Sequence, residues 1–142
     1  MNELQLNALI PELSVSDIKK SLDFYITILQ GKMEYERSEN KFALVSISNV
    51  QIMLEEVNGC WETGRLEYPF GRGINFQIQV ADVEVLYKRI IKAQYPVKIT
   101  LQDNWYRAKD VLLGQKEFLV MDPDGYLLRF AQALGEGVIS KK

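Results

Sequence analysis

The chain has no histidine anywhere in its 142 residues. That removes the commonest metal ligand and the commonest general base, and with them every Ser-His-Asp or Cys-His arrangement. Cysteine is nearly absent. Cys60 stands alone, so no intramolecular disulfide can form. An excess of charge of one sign is missing too: 17 Lys and Arg face 19 Asp and Glu, a net charge of −2. With no basic stripe, a nucleic-acid partner is not expected. No apolar run approaches the ~20 residues that cross a bilayer. The opening MNELQLNALI lacks the basic segment and apolar core of a secretory signal. A cytoplasmic chain with no membrane partner is the expectation.

What is present suits an ordinary folded chain, 47% hydrophobic and 25% charged. The length fits one domain, or two small halves sharing a core. The clearest local signal is EFLVMDPDGYLLRFA, Glu117 to Ala131. Asp122-Pro123-Asp124-Gly125 suits a tight turn, with φ preset at Pro and free at Gly. Its apolar flanks predict a β-hairpin. Upstream, Leu6 to Val15 reads as a strand interrupted by Pro11, which belongs at an edge or junction. Ser16 or Asp17 then caps a helix whose Ile18, Leu22, Tyr25 and Leu29 share one face, ended by Gly31. Strands follow at Met33 to Arg37, Phe42 to Ile47 and Val50 to Glu56.

After the Gly- and Pro-bearing linker 57–73 the order restarts. Ile74 to Val80 is a strand, Asp82 caps a helix with Val83, Leu86, Ile90 and Ile91 on one face, and Val97 to Leu101 and Trp105 to Leu113 are strands. Leu13-Ser14-Val15-Ser16-Asp17-Ile18 is echoed by Ile78-Gln79-Val80-Ala81-Asp82-Val83. Internal repetition fixes architecture. The prediction is one α+β domain over 1–142, with paired βαβββ modules at 6–56 and 74–134 and a loose tail at 135–142. The modules would form a curved eight-stranded mixed sheet around a concave cleft, with helices outside.

Strand alternation then assigns faces. Leu13, Val15, Ala43, Val45, Ile47, Ile52, Leu54, Phe76, Ile78, Leu128 and Phe130 go under the helices. The cleft face receives Ile10, Glu12 and Ser14; Phe42, Leu44 and Ser46; Gln51, Met53 and Glu55; Asn75, Gln77 and Gln79; and Leu127, Arg129 and Ala131. A wet sheet face accounts for such a set. So does a ligand pocket with a few polar groups among apolar ones, which the curvature favours.

Three stretches, IPELSVSDIKKSLDFYITILQGK, INFQIQVADVEVLYKRI and EFLVMDPDGYLLRFAQAL, carry a resemblance over nearly the whole chain. It resembles the vicinal oxygen chelate superfamily, also called the glyoxalase/bleomycin-resistance/dioxygenase family, and within it the bleomycin-resistance proteins. The resemblance implies a homodimer without cofactors that sequesters a planar, bleomycin-like small molecule. Glu12 and Glu55 would favour positive charge, Phe42 would stack, and Asn75, Gln77 and Gln79 would set orientation. The aromatic that precedes the hairpin in several relatives is replaced here by Leu112-Leu113-Gly114-Gln115, leaving Trp105, Tyr106 or Trp61 as substitutes. The metal-ligand positions of the superfamily's enzymes fall on Ile10, Met53, Asn75 and Arg129. No metal is expected there, because Ile and Met do not hold a hard or borderline cation and Arg repels one. An enzyme of the same superfamily, glyoxalase- or dioxygenase-like, is the alternative, with Glu12 or Glu55 as its base.

Overall fold

Two aspartates start the helices. Asp17 is extended and its carboxylate accepts from the backbone N–H groups of Lys19 (3.0 Å) and Lys20 (3.4 Å). Asp82 does the same for Val85 at 3.1 Å. Each fills donors that a helix start leaves open. The computed structural model describes residues 3–139. Its elements are β1 (Glu12–Val15), α1 (Ile18–Leu22), β2 (Lys32–Arg37), β3 (Phe42–Ile47), β4 (Val50–Glu56), β5 (Asn75–Gln79), α2 (Val83–Lys92), β6 (Ile99–Ala108), β7 (Val111–Met121) and β8 (Leu127–Val138).

The α+β class and the twofold βαβββ order are both present. The eight strands divide four and four between two mixed sheets, ordered β1-β4-β3-β2 and β5-β8-β7-β6. In each, the first strand runs parallel to the last, as Leu13 beside Leu54 and Phe76 beside Leu128, and the other pairs are antiparallel. Among the described residues no helix is long and apolar enough to cross a membrane.

The chain divides into two compact units. The first runs to Arg72 and also takes in Asp122–Tyr126; the second holds Gly73–Met121 and the chain from Leu127 on. The hairpin turn thus belongs with the first module and its strands with the second, a division that reading the modules in succession does not foresee.

In the first unit, Leu13, Val15, Phe24, Tyr25, Leu29, Ala43, Val45, Ile52 and Leu54 are buried. Only Glu12–Val15 of the expected first strand pairs. The segment before it is held by Gln51 instead: Asn7 N–H donates to Gln51 Oε1 and Gln51 Nε2 donates to the Gln5 carbonyl, both at 2.7 Å. Past Leu22 the helix widens into a π-helical stretch, Asp23–Ile28, where Leu29 N–H reaches back to the Phe24 carbonyl. Ser21, Phe24 and Tyr25 lie in the core, and Ile18 and Leu22 are half-buried. The left-handed residue after this helix is Gln30 (φ 57), not Gly31. Gly31 serves for room: a Cβ there would lie 2.7 Å from the Tyr25 carbonyl and 2.9 Å from that of Ser46.

The Asp122–Gly125 turn closes as its sequence predicts. Gly125 N–H donates to the Asp122 carbonyl at 2.9 Å, with Gly125 at φ 95. Asp122 Oδ1 accepts from the N–H groups of Asp124 and Tyr126, and Oδ2 accepts from the Tyr25 hydroxyl at 2.8 Å. Asp124 accepts from the hydroxyl and the N–H of Ser16. Both carboxylates are buried.

In the second unit Ile78, Val83, Leu86, Ile90, Phe118, Val120, Leu128 and Phe130 form the core, with the Phe118 and Phe130 rings 5.5 Å apart. Ile91 is exposed, off the buried stripe of α2. Val97–Leu101 and Trp105–Leu113 are not separate strands. One strand, β6, runs through polar Gln102-Asp103-Asn104, and the turn falls at Lys109-Asp110. The stretch from Gly135 is not loose as far as Val138: Gly135, Glu136, Gly137 and Val138 pair with Gly114, Leu113, Leu112 and Val111. The last three residues of the expected tail lie outside the described residues.

Candidate functional site

The first unit offers one polar sheet face, away from α1. Register places Glu12 beside Met53, Ser14 beside Glu55, Phe42 opposite both Glu55 and Arg37, and Tyr35 opposite Leu44. A bulge between Met33 and Tyr35 turns Glu34 to the same side, where it accepts from the Ser46 hydroxyl at 2.8 Å. Phe42 is on the expected face but only 2% exposed. The Arg37 guanidinium lies over its ring at 3.9 Å from the centroid, and 5.9 Å from that of Tyr35, whose ring is itself 5.9 Å from Phe42. A cation is drawn to such faces by the ring quadrupole. Glu12 stands in the same field. Its pKa is raised, first by partial burial and then by the Glu55 charge, while Arg37 pulls it down. Glu55 accepts from Asn58 Nδ2.

The second unit has its own polar face. Register aligns Asn75 with Leu127, Gln77 with Arg129, Gln79 with Ala131, Arg129 with Leu119, and Ala131 with Glu117. Arg129 Nη2 donates to Gln77 Oε1 at 2.7 Å, and Gln79 Nε2 donates to Gln115 Oε1 at 3.2 Å. Asn75 opens β5 exposed. Trp105 is not on this face. It pairs with Gly114, and a Cβ at Gly114 would meet its ring at 2.6 Å. Its strand neighbours Asn104 and Tyr106 point the other way and meet Glu117: Asn104 Nδ2 donates to Glu117 Oε1 at 2.9 Å, and the Tyr106 hydroxyl donates to the same oxygen. That bond, then burial and the Glu117 charge, raise the Tyr106 pKa, with Arg129 acting against them.

Arg37, Tyr35, Asn104 and Glu117 are the side chains that sequence reasoning missed; Tyr106, expected as a stacking substitute, bonds Glu117. Alternation carried back along β7 from Met121 puts Leu119 and Glu117 with Arg129. A charge at that parity in an otherwise apolar strand was the available signal.

A divalent metal does not fit these residues. Of the superfamily's four ligand positions, Met53 and Ile10 offer no hard donor, Asn75 is a weak one, and Arg129 presents a cation. Among the described residues no three of His, Cys, Asp and Glu come together as a metal-holding group. A cleft of about 560 Å³ is lined by Ser16, Ile18, Leu22, Glu36, Lys41 and Glu56 among others, and Phe42 borders it too. Its main acid, Glu56, is already engaged by Lys41 at 3.1 Å and by the Ile18 N–H at 3.2 Å.

Known proteins share this plan. The profile of the Glyoxalase/Bleomycin resistance protein/Dioxygenase superfamily matches residues 6–130. The bleomycin resistance protein of Geobacillus stearothermophilus is 29% identical over 136 residues, 88% of this chain and 96% of its own. That of Staphylococcus aureus is equally similar. The crystal structure of TioX from Micromonospora sp. ML1 superposes with a TM-score of 0.71 at 17% identity, over 90% of this chain and 99% of that one. A glyoxalase/bleomycin resistance protein/dioxygenase from Alicyclobacillus acidocaldarius gives 0.64 at 20% identity, over 91% and 92%. With a match across nearly its whole length and the repeated βαβββ plan, the chain belongs to the Glyoxalase/Bleomycin resistance protein/Dioxygenase superfamily.

Proposed function

We propose that this protein binds and sequesters a small planar cation of the bleomycin type, without chemistry and without a metal. The observation that carries the reading is Arg37. A planar cation of the chain's own already rests on Phe42 at 3.9 Å, with Tyr35 alongside and Glu12 under the influence of both Arg37 and Glu55. A ligand of the same shape and charge would take that place. Stacking and cation–π contact are each worth about 0.5–2 kcal/mol, with more from burial of the ligand's area. Glu12 and Glu55 supply the charge beside Phe42; on the second unit's own face, Asn75, Gln77, Gln79 and Arg129 offer hydrogen-bonding groups. Trp105 leaves the proposed set, since its ring rests on Gly114 on the opposite face. The similarity to bleomycin resistance proteins supports the choice of drug. The missing metal donors speak for binding over catalysis.

Calorimetric titration with metal-free bleomycin tests this. Micromolar binding is expected, and Arg37→Ala, which frees the Phe42 face, should tighten it several-fold. Absence of binding, or a severe loss in Arg37→Ala, overturns the reading. The active form is proposed to be a homodimer. Light scattering should then give about twice the 16.4 kDa chain mass; a monomeric mass with full drug binding removes the dimer alone.

A further inference from the structure

Glu117 is a carboxylate at 2% exposure inside a β-sheet, and one of its oxygens has nothing to bond. Oε1 is fully engaged by Tyr106 and Asn104. Oε2 is buried without a partner. Such a group is costly unless something completes it. On the same face and one diagonal step away in register, Arg129 has a matching vacancy. Its Nη2 is held by Gln77, while its Nε–H is buried and unpartnered. The second unit's face therefore carries one unpartnered buried acceptor and one unpartnered buried donor, each on a side chain held by other bonds.

We infer that Glu117 and Arg129 together form a recognition site for a neutral amide, a group that presents N–H beside C=O. The amide N–H would donate to Glu117 Oε2, and the amide carbonyl would accept from Arg129 Nε. A carboxylate ligand would meet Glu117 as a like charge. An amidinium would satisfy Glu117 and be repelled by Arg129. Only a group with both polarities completes both vacancies. Tyr106 and Asn104 are positioning residues here, since they fix the rotamer of Glu117. The site rests on the proposal that this face receives the ligand, and it adds the class of polar group the ligand must carry.

The test uses ¹⁵N-labelled protein titrated with benzamide, benzoate and benzamidinium. Benzamide should shift the amide signals of residues 115–119 and 127–131 at millimolar concentration, with the other two at least tenfold weaker. Glu117→Gln keeps an acceptor for Tyr106 and Asn104 but puts an NH₂ where Oε2 stood. It should weaken benzamide at least tenfold, and Arg129→Met should do the same from the other side. Benzamidinium binding best, benzamide unaffected by either variant, or no shift at these residues overturns the inference. Failure of the drug reading is distinguishable: it shows as no bleomycin binding while the benzamide pattern stands.

Discussion

Asp122 holds three hydrogen bonds with one carboxylate and does so out of water. Oδ1 takes two backbone N–H groups and Oδ2 takes the Tyr25 hydroxyl. Burial outweighs these bonds and raises its pKa from 3.8 to about 6. The folded state then holds the proton more tightly than the unfolded one. Stability from this group is full below pH 3.8 and is lost as pH rises through 6, a difference of about 3 kcal/mol. Asp122→Asn keeps the turn's acceptor and removes the titration. Urea unfolding between pH 4 and 7 should show a slope for the parent that the variant lacks; parallel curves would exclude Asp122 as the source. The Asp, Pro and Gly of this turn were legible because their roles are local. The burial was not, because Tyr25 is 97 positions away. Arg129 shows the same limit. Its face followed from alternation, but its bond to Gln77, 52 positions away, needed the parallel pairing of β5 and β8.

Elements were legible where one rule governed them. β3 and β4 run over Phe42–Ile47 and Val50–Glu56, the bounds that alternation predicts. In the first helix the expected Tyr25 and Leu29 are buried, Ile18 and Leu22 are only half so, and no hydrophobic pattern announces the π-helical stretch that follows Leu22. β6 was divided wrongly because Gln102, Asp103 and Asn104 are weak strand formers that tertiary pairing overrides. Trp105 opened the second of those expected strands without being assigned a face, and the continuous β6 pairs it with Gly114. Gly31 supplies the prediction at this scale. A Cβ would press on two carbonyl oxygens, one in the helix and one in β3, and neither is a flexible side-chain tip. Gly31→Ala should therefore lower stability by about 1–3 kcal/mol, read as a fall in the urea midpoint. An unchanged midpoint would mean that the helix end and β3 can part without cost.

For the whole molecule, repetition gave the plan, and a segment from late in the chain groups with its first part. The first unit is finished by Asp122–Tyr126, far along the chain. Asp124 engages Ser16, the Tyr126 hydroxyl donates to the Ser14 carbonyl at 2.9 Å, and the Tyr126 ring packs edge-on to Phe70. A fragment ending at Arg72 should lack a cooperative urea transition by circular dichroism, for it keeps the apolar core but loses the Asp122 and Asp124 carboxylates and the Tyr126 ring that pack against it. A sharp transition in that fragment would show that the turn is dispensable.

The returning turn also sets a clock on synthesis. Between the emergence of Arg72 and that of Tyr126 the ribosome must add 54 residues, roughly 3–11 s at about 5–20 residues per second. Through that interval the first unit lacks Asp122–Tyr126 and the acceptors they give Ser16 and Tyr25. Folding of the front half is timed by the translation of the back half, and a pause in the codons between them would lengthen the exposure without altering a single contact in the finished protein.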